Sequence, residues 1–318
     1  MIFMSQSNYA EIGQVTTRPQ ELAAHRTKRR VRERLIEGLL FFSALSSIGI
    51  TAGIVGILLY ESLVFFEHVS VVDFLTDTQW TVLFADAHYG IMPLVAGTVV
   101  TSAVALVVAL PVGTIIAIYL SEYANSKLRE MIKPVLEMLS AVPTVVFGYF
   151  ALLFVTPLLQ RFLPNLPGFN MLSAGIVIGI MIIPYVSSLS EDAMKAVPVQ
   201  IREGSYAMGA TRLQTALRVL IPSAFSGIAS AYVLGFSRAV GETMIVAIAA
   251  GQQPNLTLNP MEGAATITAY IVQVSLGDLP HGSIAYQSIF AAGLTLLLMT
   301  LAFNIGGYLL RKKFREIY

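Results

Sequence analysis

The apolar residues of this chain fall into six long runs separated by polar stretches. They lie at about 35–60, 94–120, 135–159, 172–189, 223–251 and 287–310. Each run reaches or approaches the roughly 20 apolar residues needed to cross a bilayer. Lipid offers backbone groups no hydrogen-bond partners, so the runs predict helices, and the alternating pattern of a barrel strand is absent. The expected fold is an all-α polytopic membrane protein with six transmembrane helices. Composition agrees: 55% of residues are hydrophobic and 12% charged, where soluble domains carry about a quarter charged residues. Mean hydropathy is +0.71.

Charge sets the expected orientation. Every Lys and Arg except Arg161 and Arg238 lies in the N-terminal segment, the second loop, the fourth loop or the C-terminal segment. Arg26, Lys28, Arg29, Arg30, Arg32 and Arg34 cluster before the first run, and Arg311, Lys312, Lys313 and Arg315 follow the last. The positive-inside rule then places both termini in the cytoplasm, which an even number of spans permits. The first run is near 25 residues, with no convincing small-residue cleavage site behind its basic cluster. It reads as a retained anchor and not a signal peptide. Residues 1–34 are expected to form a cytoplasmic tail, and residues 35–88 the first transmembrane helix with an acidic outer loop.

That first outer loop carries Glu61, Glu67, Asp73, Asp77 and Asp86 without a Lys or Arg. It also carries Phe65, Phe66, Phe74, Trp80, Phe84 and Tyr89, residue types that favour the membrane–water boundary. The stretch 264–276 in the fifth loop is only moderately apolar. Thr266, Thr268, Gln273 and Ser275 make it a short outer helix in preference to a seventh span. Both loops are candidate docking surfaces, with ordinary interfacial loops as the alternative.

The 20-residue stretch 203–222, in the fourth loop, is the most specific polar segment. Gly209 can take the positive φ that ends a helix, and Thr211 can N-cap the next one. Pro222 suits the start of the following membrane helix, where no backbone donor is needed. The expectation is a rigid cytoplasmic helix–turn–helix, against the alternative of an ordinary amphipathic loop. Glu203, Gly209 and Pro222 fall at the spacing of the EAA signature of ABC importer permeases, which this segment resembles. Gly204 and Ser205 replace its alanines, and Val219 and Ile221 its Ile and Leu. The resemblance implies that the segment docks on a separate ATPase subunit.

Arg238 and Glu242 stand four residues apart inside the fifth run, a spacing that places them on one face of a continuous helix. Two accounts fit them. Arg238 offers an oxyanion forked donors that stay charged at physiological pH, with Glu242 holding it, limiting anion affinity or gating. Alternatively the two form a structural ion pair. Five prolines (111, 134, 143, 157 and 184) lie in or at the ends of spans, where a break is tolerated if it lines a cavity or packs on protein.

Further stretches resemble the PstC-type permease of the bacterial high-affinity phosphate importer: 89–93, 117–124, Lys133-Pro134 with Glu137, 142–149, Ser190 to Met194, 237–243 and 272–278. The resemblance covers about residues 89–315 and implies an ABC importer permease (MetI-like) core with a cytoplasmic coupling loop at 190–222. It implies phosphate as substrate, Arg238 and Glu242 in the pathway, and a site in the bacterial inner membrane. It also implies a homologous second permease (PstA-type), an ATPase subunit dimer and an extracytoplasmic phosphate-binding protein. No cofactor is expected on this chain; ATP is expected on the partner.

Enzyme chemistry finds little support in the sequence. No lysine follows a glycine, so there is no Walker A loop. The four histidines lie outside the spans and form no H-E-x-x-H pair, and cysteine is absent. Nothing points to nucleic acid. A permease for molybdate or sulfate, and an ion-coupled carrier using Arg238 and Glu242 without ATP, remain as alternatives.

Overall fold

The computed structural model describes residues 19–313, apart from 83, 85, 278 and 281; residues 1–18, within the expected N-terminal tail, lie outside the described residues. Helix α1 (Pro19–His68) is 50 residues long, so it begins well before the apolar run. It is followed by a short α2 (Val71–Thr76) and by α3 (Met92–Ile118), which continues into a π-helical turn at Tyr119–Tyr123. Next come α4 (Ser126–Ser140), α5 (Thr144–Phe150), a second π turn at Ala151–Val155 and α6 (Thr156–Gln160). Helix α7 (Met171–Lys195) leads to α8 (Val199–Ala207), α9 (Arg212–Thr215), a third π turn at Ala216–Leu220 and α10 (Ile221–Ser223). The chain closes with α11 (Phe225–Val240), α12 (Met244–Ala249), α13 (Ile267–Ser275) and α14 (Ile284–Lys313).

Among the described residues, four helices are long and apolar enough to cross a membrane: 32–68, 92–123, 171–195 and 284–313. The remaining two expected spans are bent pairs. Residues 126–140 and 144–160 meet at 85°, and residues 212–223 and 225–240 at 76°. Counting each pair once gives six. The first bend has a local cause in Pro143, which caps α5 in an extended conformation and cannot continue the helix. The second falls at Ala224. Pro222 therefore does not open the membrane helix as its position predicts. It belongs to the helical stretch before the bend, following the widened π turn. Helix α13 is short, as expected for the polar stretch around Thr266, and it is largely buried.

Contacts divide the chain into residues 1–57 and residues 58–318. In the first unit, Leu39, Phe42, Ile48 and Ile54 are exposed, the apolar surface of a helix built for lipid. The second unit is organised around α3 and α7. A Cβ on Gly175 would come within 2.6 Å of Val104 Cβ, and one on Gly179 within 2.7 Å of the Ala105 carbonyl oxygen. These two glycines let the helix backbones touch. Ala105, Ala109, Ala174, Ile178 and Ile182 fill the same seam, and α11 lies along α7.

The two ends of this unit differ. At one, Phe65, Phe74, Trp80, Tyr89 and Tyr270 pack edge-to-face. Phe65, Phe74 and Trp80 are buried there, not laid along an interface as loop composition alone predicts. The aromatic segment is closed by a bridge between Trp80 and Tyr89. The other end carries α4, α8 and α9 and most of the unit's Lys and Arg.

Candidate functional site

The fifth run does not form one helix. Helix α11 ends at Val240 and α12 begins at Met244, leaving a break at residues 241–243. Glu242 lies past the helix end, so the shared face expected for Arg238 and Glu242 does not exist, and no ion pair joins them among the described residues. The break itself supplies the compensation. Arg238 sits in the last turn of α11, where the helix dipole favours a cation. Glu242 is 6% exposed and precedes α12. The Ile245 N–H approaches its Oε1 at 3.5 Å, and Thr268 Oγ1 donates to its backbone oxygen at 2.6 Å.

Arg238 is exposed on the surface of the chain, its guanidinium 5.6 Å from the centre of the Tyr185 ring. Tyr185 also lines a cleft of about 280 Å³ among α4, α7 and α11, with Lys133, Glu137, Ser140 and Leu234. A larger cleft of about 630 Å³ lies beyond the break, walled by Phe169, Gly251, Gln252, Gln253 and Gly263. Arg238 and Tyr185 thus form a polar spot on an apolar helical face, open to whatever covers that face.

The stretch 203–222 forms the expected helix–turn–helix. Gly209 has φ of +83°, in the left-handed region. Thr211 caps α9, and Gln214 completes the capping box: the Gln214 N–H donates to Thr211 Oγ1 at 3.3 Å, and the Thr211 N–H to Gln214 Oε1 at 2.9 Å. Glu203 is exposed, as are Leu213 and Leu217, and Met208 is 88% exposed. A short rigid element therefore presents a carboxylate and three apolar side chains outward.

Sequence reasoning missed the ionic cluster behind that element. Glu191 of α7 is completely buried. Its oxygens meet Lys133 Nζ at 2.7 Å, Arg129 Nε at 3.4 Å and the Lys195 ammonium, as ionic contacts without a well-directed hydrogen bond. Lys133 also reaches Asp192 at 3.0 Å. The Glu191–Lys195 spacing of four was the available signal. Lys133 and Arg129 come from 58 and 62 positions away, a pairing no local pattern reveals. A second buried carboxylate, Glu122, accepts from the Tyr206 hydroxyl at 2.9 Å and faces Arg202 Nη2 at 3.2 Å. Burial first, then the Glu122 carboxylate, holds the Tyr206 phenol above its ordinary pKa, so it stays a donor.

Helices long and apolar enough to span, two of them bent pairs, with an exposed helix–turn–helix at one end, are the architecture of a polytopic membrane protein. Residues 109–316 match the family model described as binding-protein-dependent transport system inner membrane component. The chain belongs to this family: it is a multi-pass inner-membrane permease subunit of an ABC importer, and not an enzyme. It is 35% identical over 276 residues to the probable ABC transporter permease protein YqgH of Bacillus subtilis (strain 168), covering 86% of this chain and 88% of that protein. It is 34% identical over 240 residues to the phosphate transport system permease protein PstC 1 of Mycobacterium bovis, covering 69% and 71%. A solved bacterial ABC transporter involved in the import of the acidic polysaccharide alginate shares the fold. Its TM-score is 0.61 at 16% identity, over 89% of this chain and 99% of that one.

Proposed function

We propose that this chain forms half of the phosphate pathway of an ATP-driven importer, with Arg238 as the fixed cation on that path. The carrying observation is an exposed guanidinium beside a break in a spanning helix, in a chain whose relatives are named phosphate transport system permeases. Guanidinium offers paired N–H donors that match phosphate oxygens and keeps its charge across physiological pH. Arg238 faces away from its own core, which suits a pathway shared with a second, homologous permease of the PstA type. Glu242, held by backbone contacts at the start of α12, fixes the geometry of the break and does not neutralise the arginine.

In this reading both termini are cytoplasmic and residues 89–315 form the core, with residues 190–222 as the coupling loop. Glu203 and the turn at Gly209 dock on an ATPase subunit pair, where ATP is bound and hydrolysed. Movement of that segment, passed through the helical stretch ending at Ser223, tilts α11 and switches access to Arg238 from one side to the other. The aromatic segment before α3 and the loop carrying α13 receive an extracytoplasmic phosphate-binding protein.

The test is reconstitution with the second permease, the ATPase pair and the binding protein, measuring ATP hydrolysis with phosphate, sulfate or molybdate. Stimulation by phosphate alone is expected. Stimulation by sulfate or molybdate without phosphate contradicts the substrate, and silence to all three in an assembled complex contradicts the phosphate pathway while leaving the importer fold standing.

A further inference from the structure

Helix α8 has two faces with different fates. Glu203 is exposed, as is Met208 just past the helix end, whereas the polar ends of Arg202 and Tyr206, one turn apart, both reach Glu122. The Glu122 side chain is only 3% exposed, and Ser121 Oγ donates to its Oε1 at 3.1 Å. Ile201 of α8 adds an apolar contact to the cluster around Leu220 and Met194. Among the described residues, the polar side-chain contacts from α8 to the helices outside the coupling loop both end on this carboxylate.

Glu122 belongs to the π turn that continues α3, and α3 is the partner of α7 in the glycine seam. The carbonyls at the end of that turn have no helical partner of their own. Arg129 supplies one, donating to Leu120 O through Nε at 2.9 Å and Nη2 at 2.7 Å. The same guanidinium faces Glu191 on α7. A displacement of α8 is therefore handed to α3 through Glu122, and from there through Arg129 to α7. Charge-assisted contacts to a buried carboxylate suit this task, because water has little access to Glu122 to replace them.

We propose that Glu122 is the positioning residue that couples movement of α8 to α3, so that it sets how much transport each ATP drives. This rests on the importer reading above. The Arg202–Glu122–Tyr206 contact carries the load, while the ATPase docks through the exposed Glu203.

The experiment compares phosphate taken up per ATP hydrolysed in reconstituted complexes, with assembly checked separately. Glu122→Gln keeps the shape and removes the charge. Its uptake per ATP is expected to fall roughly 5- to 150-fold, the span of typical coupling energies, while ATP hydrolysis persists. Tyr206→Phe removes one donor and falls less. The swap Glu122→Arg with Arg202→Glu restores much of what Glu122→Arg alone loses. A bystander role moves total activity and assembly but not the ratio. A normal ratio in assembled Glu122→Gln overturns the proposal. Where that variant fails to assemble, Tyr206→Phe and the swap decide, and normal uptake per ATP in Tyr206→Phe without rescue by the swap overturns it. A wild-type complex that neither hydrolyses ATP nor takes up phosphate contradicts the importer reading instead.

Discussion

The α3–α7 seam and the junction beneath α8 join helices in opposite ways. In the seam no charged side chain takes part, and backbones meet over Gly175 and Gly179 with alanine and isoleucine filling the remainder. Under α8, one buried carboxylate receives two polar side chains across a gap between helices. Close packing fixes register and is intolerant of sliding, because interiors are dense and short-ranged contacts are lost with small shifts. An ion pair on longer side chains tolerates a changing angle while keeping its connection. The seam thus suits a frame, and the junction suits a lever.

The comparison breaks most sharply at Glu191, where α7 meets the charges of α4. Glu191→Gln leaves three cations without their shared carboxylate. Losing one side of a buried pair costs about 3–5 kcal/mol, and the lower end applies because the cations are partly exposed. Thermal unfolding of the purified complex reads the loss; an unchanged midpoint contradicts the account of this cluster. In the seam, Gly179→Val places a Cβ within 2.7 Å of a backbone oxygen. Overpacking of this kind costs about 1–3 kcal/mol, and the same unfolding assay, at low and high salt, is expected to show a loss that salt does not alter.

A smaller effect separates backbone from packing in the lever. Gly209→Ala meets no neighbouring atom, yet its φ of +83° is strained for alanine, at about 1–2 kcal/mol. Gly204→Ala also meets open space but sits within α8, where alanine is favoured by roughly 0.5–1 kcal/mol. Opposite signs in unfolding of the two variants are expected, and equal signs contradict the turn geometry.

The smallest effect lies at the aromatic end. His88 Nδ1 and Asp77 Oδ2 are 2.8 Å apart, clasping the segment that bears the Trp80–Tyr89 bridge. The hydrogen bond to Asp77 raises the His88 pKa, and the one to His88 lowers that of Asp77. The histidine contribution is complete below its ordinary 6.5 and is lost as pH rises through the raised value. The aspartate contribution is complete above 3.8 and is lost as pH falls through the lowered value. Protection of the Thr81 and Gly90 amides, wild type over Asp77→Asn, is expected to be greatest between those limits. A flat ratio contradicts the clasp.

Much of this architecture is readable in the chain itself. Apolar run length marks the spans, and Gly209 with Thr211 marks the turn of the coupling segment, because each signal is local. The bend at Pro143 and the break at 241–243 are hidden by the continuous hydropathy of 135–159 and 223–251. Pro143 marks one of them, while Gly241 alone is a weak sign of the break beside Arg238. The carboxylate junctions were hidden for another reason: Glu122 meets Tyr206 across 84 positions, and only the packing of α3, α7 and α8 brings them together. Spacing in the sequence assumed an unbroken helix for Arg238 and Glu242, and the break gives each charge its own helix end.

Phosphate is proposed to pass at the break beside Arg238. Uptake of labelled phosphate by proteoliposomes holding the assembled complex with Arg238→Gln, beside Arg238→Lys, tests it most directly. Glutamine is expected to abolish uptake, and lysine, a point charge without the fork, to retain part of it. Uptake at the wild-type rate by an assembled Arg238→Gln complex contradicts it.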